Sequence, residues 1–176
     1  MGLVAAEPEL RRIERVDIPA LGSMVAEAFV GYRSFAPAGW QPPGAAEQAD
    51  TLERWIADAG FWGALAEDHA GVAGFADFVP AMRHSVHPSP HPEMAYLGHL
   101  FLAERHWGTG LAARLLACAC EAARGRGYRR IRLFVAEGHA RARRFYAREG
   151  FTEAAETVQS GIGLPMLTCQ RPLPPD

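Results

Sequence analysis

Between Met94 and Gly127 the chain passes from a β-type run, MAYLGHLFLA, through a turn holding Gly108 and Gly110, into a helical run, LAARLLACACEAARGRG. In that run Leu111, Leu115, Cys118 and Ala122 recur at the three- and four-residue intervals of one helix face. A strand feeding a helix through a tight glycine turn belongs to a layered α/β arrangement. At such a turn the first N–H groups of the helix have no intrahelical partner and point outward, and glycines let an anion approach the backbone. The turn is therefore a generic phosphate cradle. It is not a nucleoside-triphosphate loop, because no Lys-Ser/Thr pair follows, and the three-glycine spacing of a dinucleotide fold is missing.

The flanking segments supply the other elements. Residues 9–16 predict an opening strand, and Asp17 with Pro19 predicts the start of a helix whose apolar face is Ile18, Leu21, Val25 and Phe29. From Gly31 to Gly44 prolines break any regular structure, yet the loop holds Tyr32, Phe35 and Trp40, large rings that suit the edge of the core or the wall of a ligand pocket. A second helix is expected from Ala45 to Ala59 on the spacing of Leu52, Trp55, Ile56 and Ala59. The runs FWGALAED and GVAGFADFV, separated by His69-Ala70-Gly71, predict an antiparallel hairpin. After Gly127 come a strand (YRRIRLFVAEG), a short helix ending at Gly150 and two further β segments. Neither a repeat nor a linker is visible, so one domain over residues 1–176 is expected.

Charge excludes several partners. Eighteen basic residues against twenty acidic ones give a net charge of -2, so there is no overall positive field for nucleic acid or an anionic membrane surface. Every basic residue is arginine, and lysine and asparagine are absent, which reads as a coding bias. No stretch of eighteen apolar residues exists to span a membrane. The first residues lack the basic and apolar regions of an export signal, and Ala6 spoils the myristoylation pattern after Gly2. Cys118 and Cys120, two apart in a helical run, diverge, so reduced thiols and a cytoplasmic location are expected. His84, His87 and His91 crowd a proline-rich segment without a companion Cys pair, so no metal site is expected there.

The order of elements and two spaced motifs resemble the GNAT acetyltransferase superfamily, whose acetyl-CoA motif is Gln/Arg-x-x-Gly-x-Gly/Ala on a strand-to-helix turn. Gly110 and Ala112 of WGTGLA match its two small residues, Gly108 matches a frequent extra glycine, and Leu115-Leu116 follow at the usual distance, while Trp107 stands in place of Gln or Arg. An alternative register, Arg105-x-x-Gly108-x-Gly110, restores the arginine but misaligns the leucine pair. Downstream the family has Asn-x-x-Ala-x-x-x-Tyr-x-x-x-Gly-Phe, matched here by Ala142, Tyr146, Gly150 and Phe151, with His139 replacing the asparagine.

The resemblance implies a mixed α/β (α+β) fold, with a mostly antiparallel central sheet flanked by helices and a splayed pair of strands at the cofactor site. It implies acetyl-CoA as co-substrate, held by main-chain groups of Leu100, Phe101 and Leu102, by the turn Trp107, Gly108, Thr109, Gly110, Leu111 and Ala112, and by His139 and Tyr146. Tyr146 is the implied acid for the departing thiolate. Where relatives place a glutamate base this chain has Tyr96, leaving Glu93, acting through water, and His99, on the opposite strand parity from Tyr96, as candidate bases. Tyr32, Phe35, Trp40 and Tyr96 suit an acceptor that is a small amine with apolar surface. Dimers are common among the relatives, so the resemblance leaves a homodimer open, while the sequence itself does not fix the oligomeric state. The competing reading is a non-catalytic acyl-CoA sensor or scaffold, for which the substitutions at Trp107, His139 and Tyr96 leave room.

Overall fold

The computed structural model describes residues 7–175; the Gly2 and Ala6 reading lies outside them. The strands are β1 (Glu9–Arg12), β2 (Trp62–Asp68), β3 (Gly71–Pro80), β4 (Met94–Leu102), β5 (Arg130–Ala136), β6 (Thr152–Gln159) and β7 (Pro165–Pro172). The helices are α1 (Ile18–Gly31), α2 (Ala45–Ile56), α3 (Leu111–Gly125) and α4 (Ala140–Arg148). The strands form one sheet in the order β1-β2-β3-β4-β5-β7-β6, antiparallel throughout except where β4 meets β5. Parallel neighbours need a crossover, and α3 supplies it.

Alternation along the strands separates two cores. Ala95, Leu97, Ile131, Leu133 and Val135 meet Leu111, Leu115, Leu116, Ala119, Cys120 and Ala123 of α3 on one face. On the other, Leu65 and Phe75 meet Ile18, Leu21, Val25 and Phe29 of α1 and Leu52 of α2. The buried stripe of α3 thus runs through Cys120 rather than Cys118, which with Ala122 sits at its half-buried edge. All three cysteines are free thiols.

Polar contacts set the element ends differently from the expected ones. β1 stops at Arg12, not residue 16, because the Arg11 guanidinium holds both Asp17 and Glu67 at 2.7 Å and the chain enters a single 3-10 turn at Arg15–Asp17. There Asp17 accepts the N–H of Glu14 at 2.8 Å and makes no side-chain cap for α1. α2 ends at Ile56 instead of Ala59, where Asp58 accepts the Gly60 N–H and the Arg83 guanidinium.

Gly98 matters most for the site. In the β3–β4 ladder Asp77 faces His99 while Phe78 faces Leu97, so Gly98 is an extra residue bulged out of β4. A Cβ there would lie 1.7 Å from the Trp55 ring, so the indole of α2 packs directly on the bulge. Gly98→Ala is expected to displace Trp55 and, as overpacking of about 1–3 kcal/mol, to lower Tm by roughly 3–10 °C. Thermal denaturation with Trp fluorescence checks this; an unchanged Tm and emission would mean the ring is loosely held.

Candidate active site

β4 and β5 are paired only from Met94 to Tyr96, against Arg130 to Arg132. Beyond that point β4 runs on to Leu102 and β5 to Ala136 without a ladder between them. Leu100, Phe101 and Leu102 therefore present alternate main-chain groups to the gap on the side away from β3. At its mouth Gly108 (φ 78°) and Gly110 (φ 89°) adopt left-handed conformations, and Gly110 is the N-cap of α3. No atom lies within 4 Å of where either Cβ would be. An unpaired strand edge leading to an open helix N-terminus fits an extended amide-bearing arm that ends in phosphates.

The other residues of the turn divide their tasks. Leu111 is in the core and Ala112 is half-buried beside it, while Thr109 turns its hydroxyl back to the carbonyl of His106 at 2.8 Å. Arg105 is committed elsewhere: it binds Asp68 at 3.0 Å and the Val72 carbonyl at 3.1 Å, and His106 meets the same carboxylate at 2.6 Å. Asp68, held well below the usual carboxylate range first by Arg105 and then by His106, thus staples the turn to the β2–β3 hairpin. Trp107 is half exposed, with the Arg141 guanidinium of α4 stacked 4.4 Å from its ring centre.

Tyr146, on α4, is partly buried against the α3-side core, with its ring against Phe145 and Phe151. Burial raises its phenol pKa above the usual value, and the phenols of Tyr32 and Tyr96 are near enough to add to the effect. Burial pushes Tyr32 up to about 12. His139 is the N-cap of α4: its Nδ1 accepts the Ala142 N–H at 3.3 Å, so in the neutral ring the proton is on Nε2. Capping explains how histidine stands in for asparagine, since either side chain offers the acceptor an N-cap needs. The His139 ring also packs on Tyr32 and Phe35.

On the α1–α2 face the bulge overturns the expected strand parity. With Gly98 extruded, Tyr96 and His99 lie on one face and both touch Trp55, at ring separations of 5.7 and 5.0 Å. His99 is buried, and its Nδ1 lies 2.8 Å from Oδ2 and 3.0 Å from Oδ1 of the fully buried Asp77, which also accepts the His99 main-chain N–H. A carboxylate only accepts, so Nδ1 carries the proton and Nε2 of the neutral ring offers a lone pair. Glu93, by contrast, precedes the paired end of β4; its carbonyl accepts the N–H of Arg129 and its side chain is part-exposed near His91. Glu93 and His99 are thus at opposite ends of the strand.

Two loops are tied to the β6–β7 hairpin. Trp40 donates its indole N–H to the Ile162 carbonyl at 2.7 Å, and the His87 Nε2 meets the Gln159 carbonyl at 2.7 Å. His84 and His87 overlie Tyr96 and Phe134, and His84 Nδ1 accepts the His87 N–H. Among the described residues no three His, Cys, Asp or Glu side chains converge on a metal position.

Burial, then Arg132 and His87, push His84 down to about 4. The unfolded chain takes up this proton near 6.5, so stability is expected to fall as pH drops from 6.5 toward 4. Thermal denaturation between pH 7 and 4.5 should show a shallower loss in His84→Gln than in the wild type. Equal slopes would remove His84 as a cause.

Sequence reasoning missed Trp55, Asp77 and Arg132 as site residues. Asp77 had a signal: a lone acid inside the apolar run GVAGFADFV is a buried charge that must find a partner.

Residues 26–151 match the model of the acetyltransferase (GNAT) family. Similar structures include YncA from Salmonella typhimurium, solved with its cofactor acetyl-CoA (TM-score 0.73, 18% identity, covering 97% of this chain and 96% of that one). A ribosomal-protein-alanine N-acetyltransferase from Brucella melitensis superposes with TM-score 0.70 and 24% identity over 93% of this chain and 99% of that one. A PaiA N-acetyltransferase from Thermoplasma acidophilum in complex with coenzyme A gives 0.68 and 14%, covering 93% and 98%. No curated protein matches the sequence. No helix among the described residues is long and apolar enough to cross a membrane.

Proposed function

The chain belongs to the GNAT acetyltransferase family and uses acetyl-CoA as co-substrate, and from that premise we propose that it acetylates the primary amine of a small molecule by direct transfer. Acetyl-CoA supplies the thioester whose acyl group is passed on. Main-chain groups of Leu100, Phe101 and Leu102 satisfy the amides of its arm, and the turn from Gly108 to Ala112 receives its phosphates. His99 takes a proton from the incoming ammonium at Nε2, oriented by Asp77, and Tyr146 gives its phenol proton to the departing sulfur. The balance is one amine N–C bond formed, one C–S bond broken and two protons lost from nitrogen: the first leaves through His99 to solvent, and the second restores the phenol proton that Tyr146 gave to sulfur.

The carrying observation is the buried His99–Asp77 pair, an imidazole with its orienting carboxylate. One structural neighbour is named for an alanine of a ribosomal protein as acceptor. The loops of Trp40 and His87 are each tied to the β6–β7 hairpin, a restraint that favours a small acceptor over a polypeptide. With Trp40, the rings assigned to the acceptor are Tyr32 and Phe35, packed around His139, and Tyr96, packed on Trp55.

Calorimetric titration of acetyl-CoA, followed by a thiol-release screen over amino acids, polyamines, aminoglycosides and peptides, tests the reading. Binding followed by turnover on a small amine is the expected result. Turnover on peptides alone would overturn it.

A further inference from the structure

Arg132 stands at the vertex of the splay, opposite Tyr96 in the last paired position of β4 and β5. Its guanidinium lies 5.9 Å from the Tyr96 ring centre and 5.3 Å from that of Phe134, on the same face as His99. Arg11, Arg83, Arg105 and Arg143 each meet a carboxylate. Arg132 meets none among the described residues: Nη2 donates to the carbonyls of His87 and Ala81, and Nε is buried without any acceptor. It is the single buried side-chain polar atom among the described residues left so.

A desolvated cation lacking a counter-ion is costly, and an N–H buried with no acceptor adds to that cost. Both costs would be removed by an anion that meets this guanidinium. The size of that anion follows from its surroundings: His84 is uncharged at neutral pH, so one positive charge is on offer. A monoanionic, planar carboxylate matches a single guanidinium, which binds it through two N–H groups. Strands lie about 4.8 Å apart and advance about 3.3 Å per residue, placing the Cα atoms of Arg132 and His99 on the order of 10 Å apart. That span matches the separation of the carboxylate and amine of one small zwitterion held between two side chains.

We propose that Arg132 anchors a carboxylate on the acceptor, next to the amine that His99 deprotonates, so that the acceptors of this enzyme are free α-amino acids. This rests on the small-amine reading given above and narrows it. The aromatic walls Trp55, Tyr96 and Phe134 then receive an apolar side chain.

The test is thiol release from acetyl-CoA by the wild type with free amino acids, each compared with its own amide and its decarboxylated amine. The amide keeps the amine and side chain but mimics a peptide N-terminus. At least one amino acid is expected to exceed both partners by about 100-fold in kcat/KM, the scale of a desolvated charge-assisted pair. In Arg132→Gln that advantage collapses to within a few-fold, mainly through KM, and Arg132→Lys regains part of it. Calorimetric binding of the amino acid to the coenzyme A-bound protein, lost in Arg132→Gln, gives a readout independent of turnover. Amides or simple amines acetylated as well as the amino acid would overturn the carboxylate anchor and leave the small-amine reading standing. Neither turnover nor binding of any amino acid, with simple amines acetylated, would overturn the anchor alone, whereas turnover on peptides alone would overturn both. Should Arg132→Gln fail to fold, the wild-type comparison decides.

Discussion

Replacing His99 with alanine is expected to lower kcat/KM at neutral pH by about 10²–10⁴-fold, the range general-base removal commonly costs. The affinity for acetyl-CoA should stay within a few-fold, because His99 faces Trp55, Phe75 and Phe101 and has no part in the glycine turn. Three readouts separate a base from a packing residue. The pH profile of kcat/KM should change, since the proposed proton acceptor is gone. Added imidazole should recover part of the rate by filling the space among those rings. Asp77→Asn, nearly isosteric, should lose at least 10-fold, because the amide no longer fixes the proton on Nδ1 as a carboxylate does. A His99→Ala enzyme that retained the wild-type pH profile would assign the proton to water, and Asp77 would then be a structural acceptor of the bulge.

Legibility in the sequence followed how local each determinant is. The glycine turn, the buried stripe of α1 and the β2–β3 hairpin are written in contiguous residues, and they form where the periodicity places them. Element ends were misread because they depend on contacts distant in the chain, such as Arg11 with Glu67 and Asp58 with Arg83. The site shows the same division. Gly108 and Gly110 were readable from spacing, but the facing of His99 was not: a single extruded residue, Gly98, reverses the parity of all that follows it in β4. No alternation pattern marks a bulge in advance. Trp55 on its bulge and Arg132 at the vertex likewise come from separate elements that meet only once the sheet has closed.

Tyr146→Phe is expected to lower kcat by about 10²–10³-fold, within the usual span for loss of a general acid, with acetyl-CoA binding retained. Phenylalanine keeps the ring contacts with Phe145 and Phe151, so α4 should remain in place and Tm should change little. The raised phenol pKa bears on the pH dependence. A free phenol already exceeds a free thiol, and burial widens the gap unless the thiolate is also desolvated. Cys169, in the core that Tyr146 packs against, moves in the same direction: burial pushes its thiol up to about 11. A leaving thiolate desolvated to a like extent would rise with its acid, which would keep proton donation close to balanced. Since Tyr146 remains protonated well above its ordinary value, kcat of the wild type should show no alkaline loss attributable to this group up to about pH 10. Stopped-flow thiol release from pH 6 to 10 checks both points. A Tyr146→Phe enzyme with wild-type kcat would leave protonation of the sulfur to solvent and reduce Tyr146 to a wall of the gap.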